Sequence, residues 1–111
     1  MKVLVVGSRG IDDIDISRYI PEETSLIISG GAKGVDSLAE AFADANKISK
    51  LILRPDYSKY GRAAPLKRNE IMVDIADLTV VIWNGTSRGS KYTIDYAKKK
   101  GKLVKVILQS D

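Results

Sequence analysis

The sequence predicts an α/β sandwich, a Rossmann-like three-layer fold around a five-stranded, all-parallel sheet. Three observations predict it. Short, β-branched apolar runs recur at 3–6, 26–28, 51–53, 78–83 and 103–108; helical apolar stripes fill the intervals; and glycine or proline marks the junctions. Continuous apolar runs of this length suit strands covered on both faces, as parallel sheets require.

Each element follows in chain order. The first run stops at Gly7, and a helical pattern around 14–20 stops at Pro21. After the second run, a stripe of Val35, Leu38, Ala39, Phe42 and Ala43 predicts a helix. The third run leads into the longest connection, 55–64. A helix then opens at Pro65, a favoured first helical position, and carries Ile71, Met72 and Ile75 inward. The last helix runs from about Ser90 to Lys100, closed by Gly101. Lys105 breaks the fifth run, as an edge strand tolerates. Right-handed crossovers then give the strand order 3-2-1-4-5, the long connection carrying the chain from strand 3 to strand 4.

The 111 residues, 44% hydrophobic and 29% charged, suit one core and one domain over 1–111. With no Cys and no His, disulfides, Cys/His zinc sites, thiolate nucleophiles and Ser-His-Asp triads are excluded. No metal and no cofactor are expected. The apolar runs are too short for a signal peptide or membrane span, so a cytoplasmic protein with no membrane partner is the expectation. Eighteen Lys and Arg against 14 Asp and Glu leave a net charge of +4, suited to an anionic ligand or nucleic acid. The run Lys98-Lys99-Lys100-Gly101-Lys102 reads first as a solvated helix end that complements the helix dipole.

In such a sheet, ligands bind at the carboxyl ends of the strands where the winding direction reverses, here between strands 1 and 4. Three loops converge there: Gly7-Ser8-Arg9-Gly10, then Gly30-Gly31-Ala32-Lys33-Gly34-Val35-Asp36, and Asn84-Gly85-Thr86-Ser87-Arg88-Gly89-Ser90. Glycines admit close backbone approach, and the helices that follow present free N–H groups, so the loops are candidate phosphate cradles. Arg68 and Asn69 open the helix after Pro65, with Arg68 expected to reach over the sheet's carboxyl edge. Arg9, Arg68 and Arg88 are candidate phosphate clamps, and Asp36 suits ribose hydroxyls. No G-x-x-x-x-G-K-[ST] occurs, and no G-x-G-x-x-G follows strand 1, which disfavours P-loop and standard dinucleotide-binding modes.

The segments Ser29-Gly-Gly-Ala-Lys-Gly-Val-Asp36, Arg68-Asn69, Ala76-Asp77 and Gly85-Thr-Ser-Arg-Gly-Ser90 resemble the SLOG superfamily, nearest its small YspA-like branch. Related groups are the Lonely Guy phosphoribohydrolases and the DprA/Smf DNA-processing proteins. The resemblance implies a nucleotide-derived ligand, often in a dimer. It matches Arg68 to a catalytic arginine of the Lonely Guy enzymes and 85–90 to their phosphate loop. Thr93 stands where those enzymes carry an essential Glu, and Asp95 lies two residues on.

Three functions are therefore expected in order. The first is a sensor or carrier module for a nucleotide-derived ligand. The second is an N-glycosidase acting on nucleoside phosphates, with Arg68 and Asp36 as catalytic candidates. The third is single-stranded nucleic-acid binding, as in DprA. A homodimer through the Tyr92/Tyr96 face of the last helix is also expected.

Overall fold

The computed structural model describes residues 1–110. Strands β1 (Lys2–Gly7), β2 (Leu26–Ser29), β3 (Ser49–Ile52), β4 (Leu78–Trp83) and β5 (Leu103–Leu108) form one all-parallel sheet in the order β3-β2-β1-β4-β5. Helices α1 (Val35–Ala45), α2 (Tyr57–Tyr60), α3 (Ala64–Ile75) and α4 (Arg88–Lys99) complete it. The fold class and strand order are those the sequence predicts.

Strand periodicity divides the core in two. Val3, Val5, Ile27, Val80 and Ile82 face α1, meeting Val35, Ala39 and Ala43. Leu4, Val6, Ile28 and Val81 face the opposite layer, meeting Met72 and Val73 of α3 and Ile94 and Ala97 of α4. Gly7 sits where β1 passes under α1. A Cβ there would lie 2.5 Å from Val35 Cγ2 and 2.6 Å from the Ile82 carbonyl oxygen, so only glycine fits. Asp77 clamps the sheet's other end: its backbone N–H donates to Lys2 O, and its carboxylate accepts from Lys2 N at 2.7 Å.

Four details differ from the sequence reading. The pattern around 14–20 forms only a 3-10 turn, Ile16–Tyr19. Asp15 caps it by accepting from the Ser17 N–H and hydroxyl, and Pro21 forces Ile20 to extended φ/ψ, leaving no room for an α-helix. Its isoleucines still reach the core, with Ile11, Ile16 and Ile20 buried beside α1. Second, β3 starts two residues early, because its register is set by pairing with β2, from Leu26↔Ser49 to Ser29↔Ile52. Third, the connection 55–64 contains α2, which Asp56 caps, and a further 3-10 turn, Gly61–Ala63. Fourth, Ile71 is 40% exposed; Val73, not Ile71, joins Met72 in the core.

On the outer layer, α3 and α4 are tied through polar contacts. Tyr92 donates its hydroxyl hydrogen bond to Glu70, and Tyr96 donates to Asp74 at 2.9 Å. Burial and the Asp74 carboxylate push the Tyr96 hydroxyl up to about 12. Tyr92 remains 37% exposed, as an outward ring should, yet both hydroxyls serve the chain's own helix pair. The lysine run closes α4 at the amino edge of the sheet, where Lys102 donates to Asp74 O and Ala76 O at 2.9 and 3.2 Å. Among the described residues, no helix is long and apolar enough to cross a membrane.

Thr79 is 1% exposed on β4, and its hydroxyl has no hydrogen-bond partner among the described residues. Valine has the same shape without the stranded polar group. Thr79→Val is expected to raise unfolding stability by about 1 kcal/mol, read as a higher denaturant midpoint at unchanged slope.

Candidate functional site

The three glycine-bearing loops meet, as expected, at the carboxyl edge between β1 and β4. They enclose a cavity of about 460 Å³, within the range that takes a small-molecule ligand. Gly7, Ser8 and Arg9 form its floor, while Ser87, Gly89 and Ser90 from the start of α4 form one wall. Asp36, Arg68 and Asn69 form the other. Lys33, Gly85, Thr86 and Arg88 are exposed and lie outside the lining. Gly30, Gly31 and Gly34 shape the second loop from behind it.

Ser8 organises the β1–β4 side. It is 3% exposed, its N–H donates to Ile82 O, and its hydroxyl accepts from Asn84 N at 3.1 Å. With that acceptor role filled, the Ser8 hydroxyl can donate to Ser87 Oγ, 2.9 Å away. Asn84 then builds the turn into α4, its side-chain oxygen accepting from Thr86 N and Ser87 N, each at 2.9 Å. Trp83 locks the same turn by donating its indole N–H to Ser87 O at 3.0 Å. The aromatic ring at this strand end therefore packs and pins the loop.

Arg68 organises the other side. From the first turns of α3 it crosses the sheet edge, and Nη1 donates to Gly30 O at 2.8 Å and to Leu53 O at 3.2 Å. Nε donates to Asn69 Oδ1 at 2.9 Å. The guanidinium lies so close to the second loop that a Cβ on Gly30 would sit 2.6 Å from Nη1. Asp36, 7% exposed near the start of α1, accepts from Ala32 N at 3.0 Å and holds that loop closed.

Burial pushes the Asp36 carboxyl above its ordinary value, against the opposing pulls of the Ala32 N–H and the Arg68 charge. Burial likewise lowers Arg68, with Asp36 attracting its charge while Arg9 and Arg54 repel it. A guanidinium stays protonated regardless. Among the described residues, the ion pairs are Lys50–Asp44, Lys67–Glu70 and Lys91–Asp95, so no arginine of the site has one. Among the described residues, the Arg9 side chain makes no hydrogen bond either. At this edge Arg9, Arg54 and Arg68 repel one another and face the carboxylates Asp36 and Glu40.

Sequence reasoning missed Arg54, which lies beside the cavity lining; it placed Asn84 at the head of the third loop and Thr93 in place of a glutamate without giving either a role. Arg54 immediately follows the third apolar run, so its position at a strand's carboxyl end was the available signal. Asn84 had the same signal at the end of β4. Thr93 lines the cavity, 1% exposed, with its hydroxyl donating to Gly89 O at 2.9 Å. Asp95 points elsewhere and pairs with Lys91 at 2.8 Å. No cluster of three or more carboxylates suited to a metal ion occurs among the described residues.

Fold and site together define an all-parallel α/β protein with a cavity at its topological switch point that holds Arg9, Arg68 and Asp36. Compared with known family models, with curated proteins and with solved structures, the chain gives no match.

The direction of the Asp36 shift has a measurable consequence. A carboxyl raised above its unfolded value of 3.8 stabilises the fold below that value and loses the contribution as pH rises through the folded value. Asparagine keeps an oxygen for the Ala32 N–H but cannot titrate. The stability of the wild-type chain minus that of Asp36→Asn is therefore expected to increase as pH falls from neutrality towards 4, measured by thermal melts. A difference that is flat or shrinks on acidification would contradict it.

Proposed function

We propose that this chain is a binding module, a sensor or carrier, for a nucleotide-derived ligand at the carboxyl end of the sheet. What carries this reading is the cavity itself. One wall offers the Ser87 and Ser90 hydroxyls at the start of α4, the floor offers Arg9 and the other wall Arg68, cations that lack ion-pair partners among the described residues. Hydroxyls, a helix N-terminus and guanidiniums are the groups that bind phosphate. The resemblance of 29–36, 68–69 and 85–90 to SLOG segments supports the same ligand class.

A panel of mononucleotides, dinucleotides, ADP-ribose and nicotinamide dinucleotides should contain compounds that raise the melting temperature. Saturation at a hundred times Kd stabilises by about 2.7 kcal/mol. Arg9→Ala is the informative variant. Since Arg9 holds nothing in the free protein, its truncation should change unliganded stability by no more than about 0.5 kcal/mol, yet remove the ligand-induced shift. A panel with no shift overturns the proposal.

A second reading, N-glycosidic hydrolysis of a nucleoside phosphate, is supported by one observation. Asp36 is a buried carboxyl with a raised proton affinity, in the same cavity as Arg68. Groups tuned in this way serve as general acids. With Thr93 on Gly89 O and Asp95 paired to Lys91, Asp36 is the carboxyl this mechanism would use. Release of free base from AMP, abolished in Asp36→Asn, is the expected signature. Release that survives the substitution would sink it.

A further inference from the structure

The Gly30-Gly31 pair has a second partner that the nucleotide cavity does not explain. Arg68 Nη1 holds the Gly30 carbonyl, and Arg54 Nη1 holds the next one, Gly31 O, at 3.1 Å. A Cβ on Gly30 would fall 2.6 Å from Arg68 Nη1, and one on Gly31 would fall 2.8 Å from Arg54 Nη1. Gly31 also has φ +72°, a conformation that favours glycine. Two adjacent glycines thus make room for two adjacent guanidiniums, each held by a neutral carbonyl.

Arg9 adds a third positive charge acting on Arg68. The facing carboxylates are Asp36 and Glu40, the latter accepting from Ser29 Oγ behind the same loop, and two do not balance three cations. Asp56 shares a small hollow of about 40 Å³ with Arg54 and Arg68, but its carboxylate accepts from Ser58 Oγ and Lys59 N as the cap of α2. Like charges held together with too few counter-charges are unfavourable in the free protein. The convergence makes sense if an anion completes it.

Resting on the nucleotide-binding reading above, we infer that Arg54, with Arg68 and Arg9, forms a second anion subsite, so that the ligand carries two separated anionic groups, as a 5′-phosphorylated dinucleotide does. One anion lies at the start of α4, beyond β4. The other lies over the guanidiniums beyond β2 and β3. The ends of β4 and β2 are two strand spacings apart, about 10 Å. One phosphate, or two on adjacent atoms, cannot occupy both places. Tyr57, 61% exposed, opens α2 in the connection that follows Arg54.

The test is calorimetric titration of the full chain with AMP, ADP and the dinucleotide pApA. ADP and pApA carry equal charge but differ in its spacing. The expected result is that pApA binds at least about tenfold tighter than ADP, a difference worth about 1.4 kcal/mol. In Arg54→Ala the pApA-to-ADP ratio should collapse to about one. In Lys99→Ala, at the opposite edge of the sheet, the ratio should persist, which separates the subsite from bulk charge. Binding of AMP and ADP with no preference for pApA overturns this inference and leaves the nucleotide reading standing. A preference that persists in Arg54→Ala also overturns it. Failure of all three compounds to bind overturns both.

Discussion

The structure around the cavity depends on where the Arg68 guanidinium ends. Its side chain leaves α3 on one layer, passes over the sheet edge, and donates to the carbonyls that follow β2 and β3. Hydrogen bonds from a charged donor contribute roughly 1.5–3 kcal/mol each. Two of them, with the Asn69 contact, can offset the desolvation of a half-buried cation. The sequence around it accommodates that endpoint. Gly30 has no Cβ because Nη1 occupies the space, and Asp36 sits behind the same loop to attract the charge. The loops after β2 and β3 are thus held by a residue distant from both in the chain.

A second, independent network holds the β1–β4 side, and the cavity is the gap between the two. Ser8, Asn84, Ser87 and Trp83 form a neutral hydrogen-bonded lattice that fixes the turn into α4. Across the gap, Asp36 is pushed up by burial and Arg68 down, and on the floor Arg9 has no ion-pair partner among the described residues. Such a wall costs stability, whereas the sheet interior beneath it is apolar and closely covered. Unfavourable electrostatics confined to one edge of a well-packed sheet leave the core beneath it intact.

Much of the fold was legible because the strands of a parallel sheet are buried on both faces and declare themselves as continuous apolar runs. The helix-versus-turn question at 14–20 was not legible from periodicity. Ile16 and Ile20 keep helical spacing and both are buried, yet capping by Asp15 and the backbone restriction before Pro21 confine the segment to one 3-10 turn. Ile71 misled in the same way: adjacent apolar residues on a helix cannot all face one layer, and α3 turns Met72 and Val73 inward. Within the site, glycine and serine positions were readable from strand ends. Arg9 and Arg68 were readable too, but Arg54 and Arg88 were not, since each follows a strand, yet Arg54 reaches the second loop and Arg88 stays in solvent.

By itself, the sequence determined the alternation of strands and helices and the edge at which polar loops accumulate. Those properties follow from local periodicity and from the chirality of β-α-β connections, which act over a few tens of residues at most. Only the tertiary structure decided which side chains share the cavity. Arg68 lies 38 positions from Gly30, and Ser8 lies 79 from Ser87. No local pattern links residues so far apart. Their meeting is set by sheet order, helix placement and the reach of a long side chain, quantities that exist only once the chain is folded.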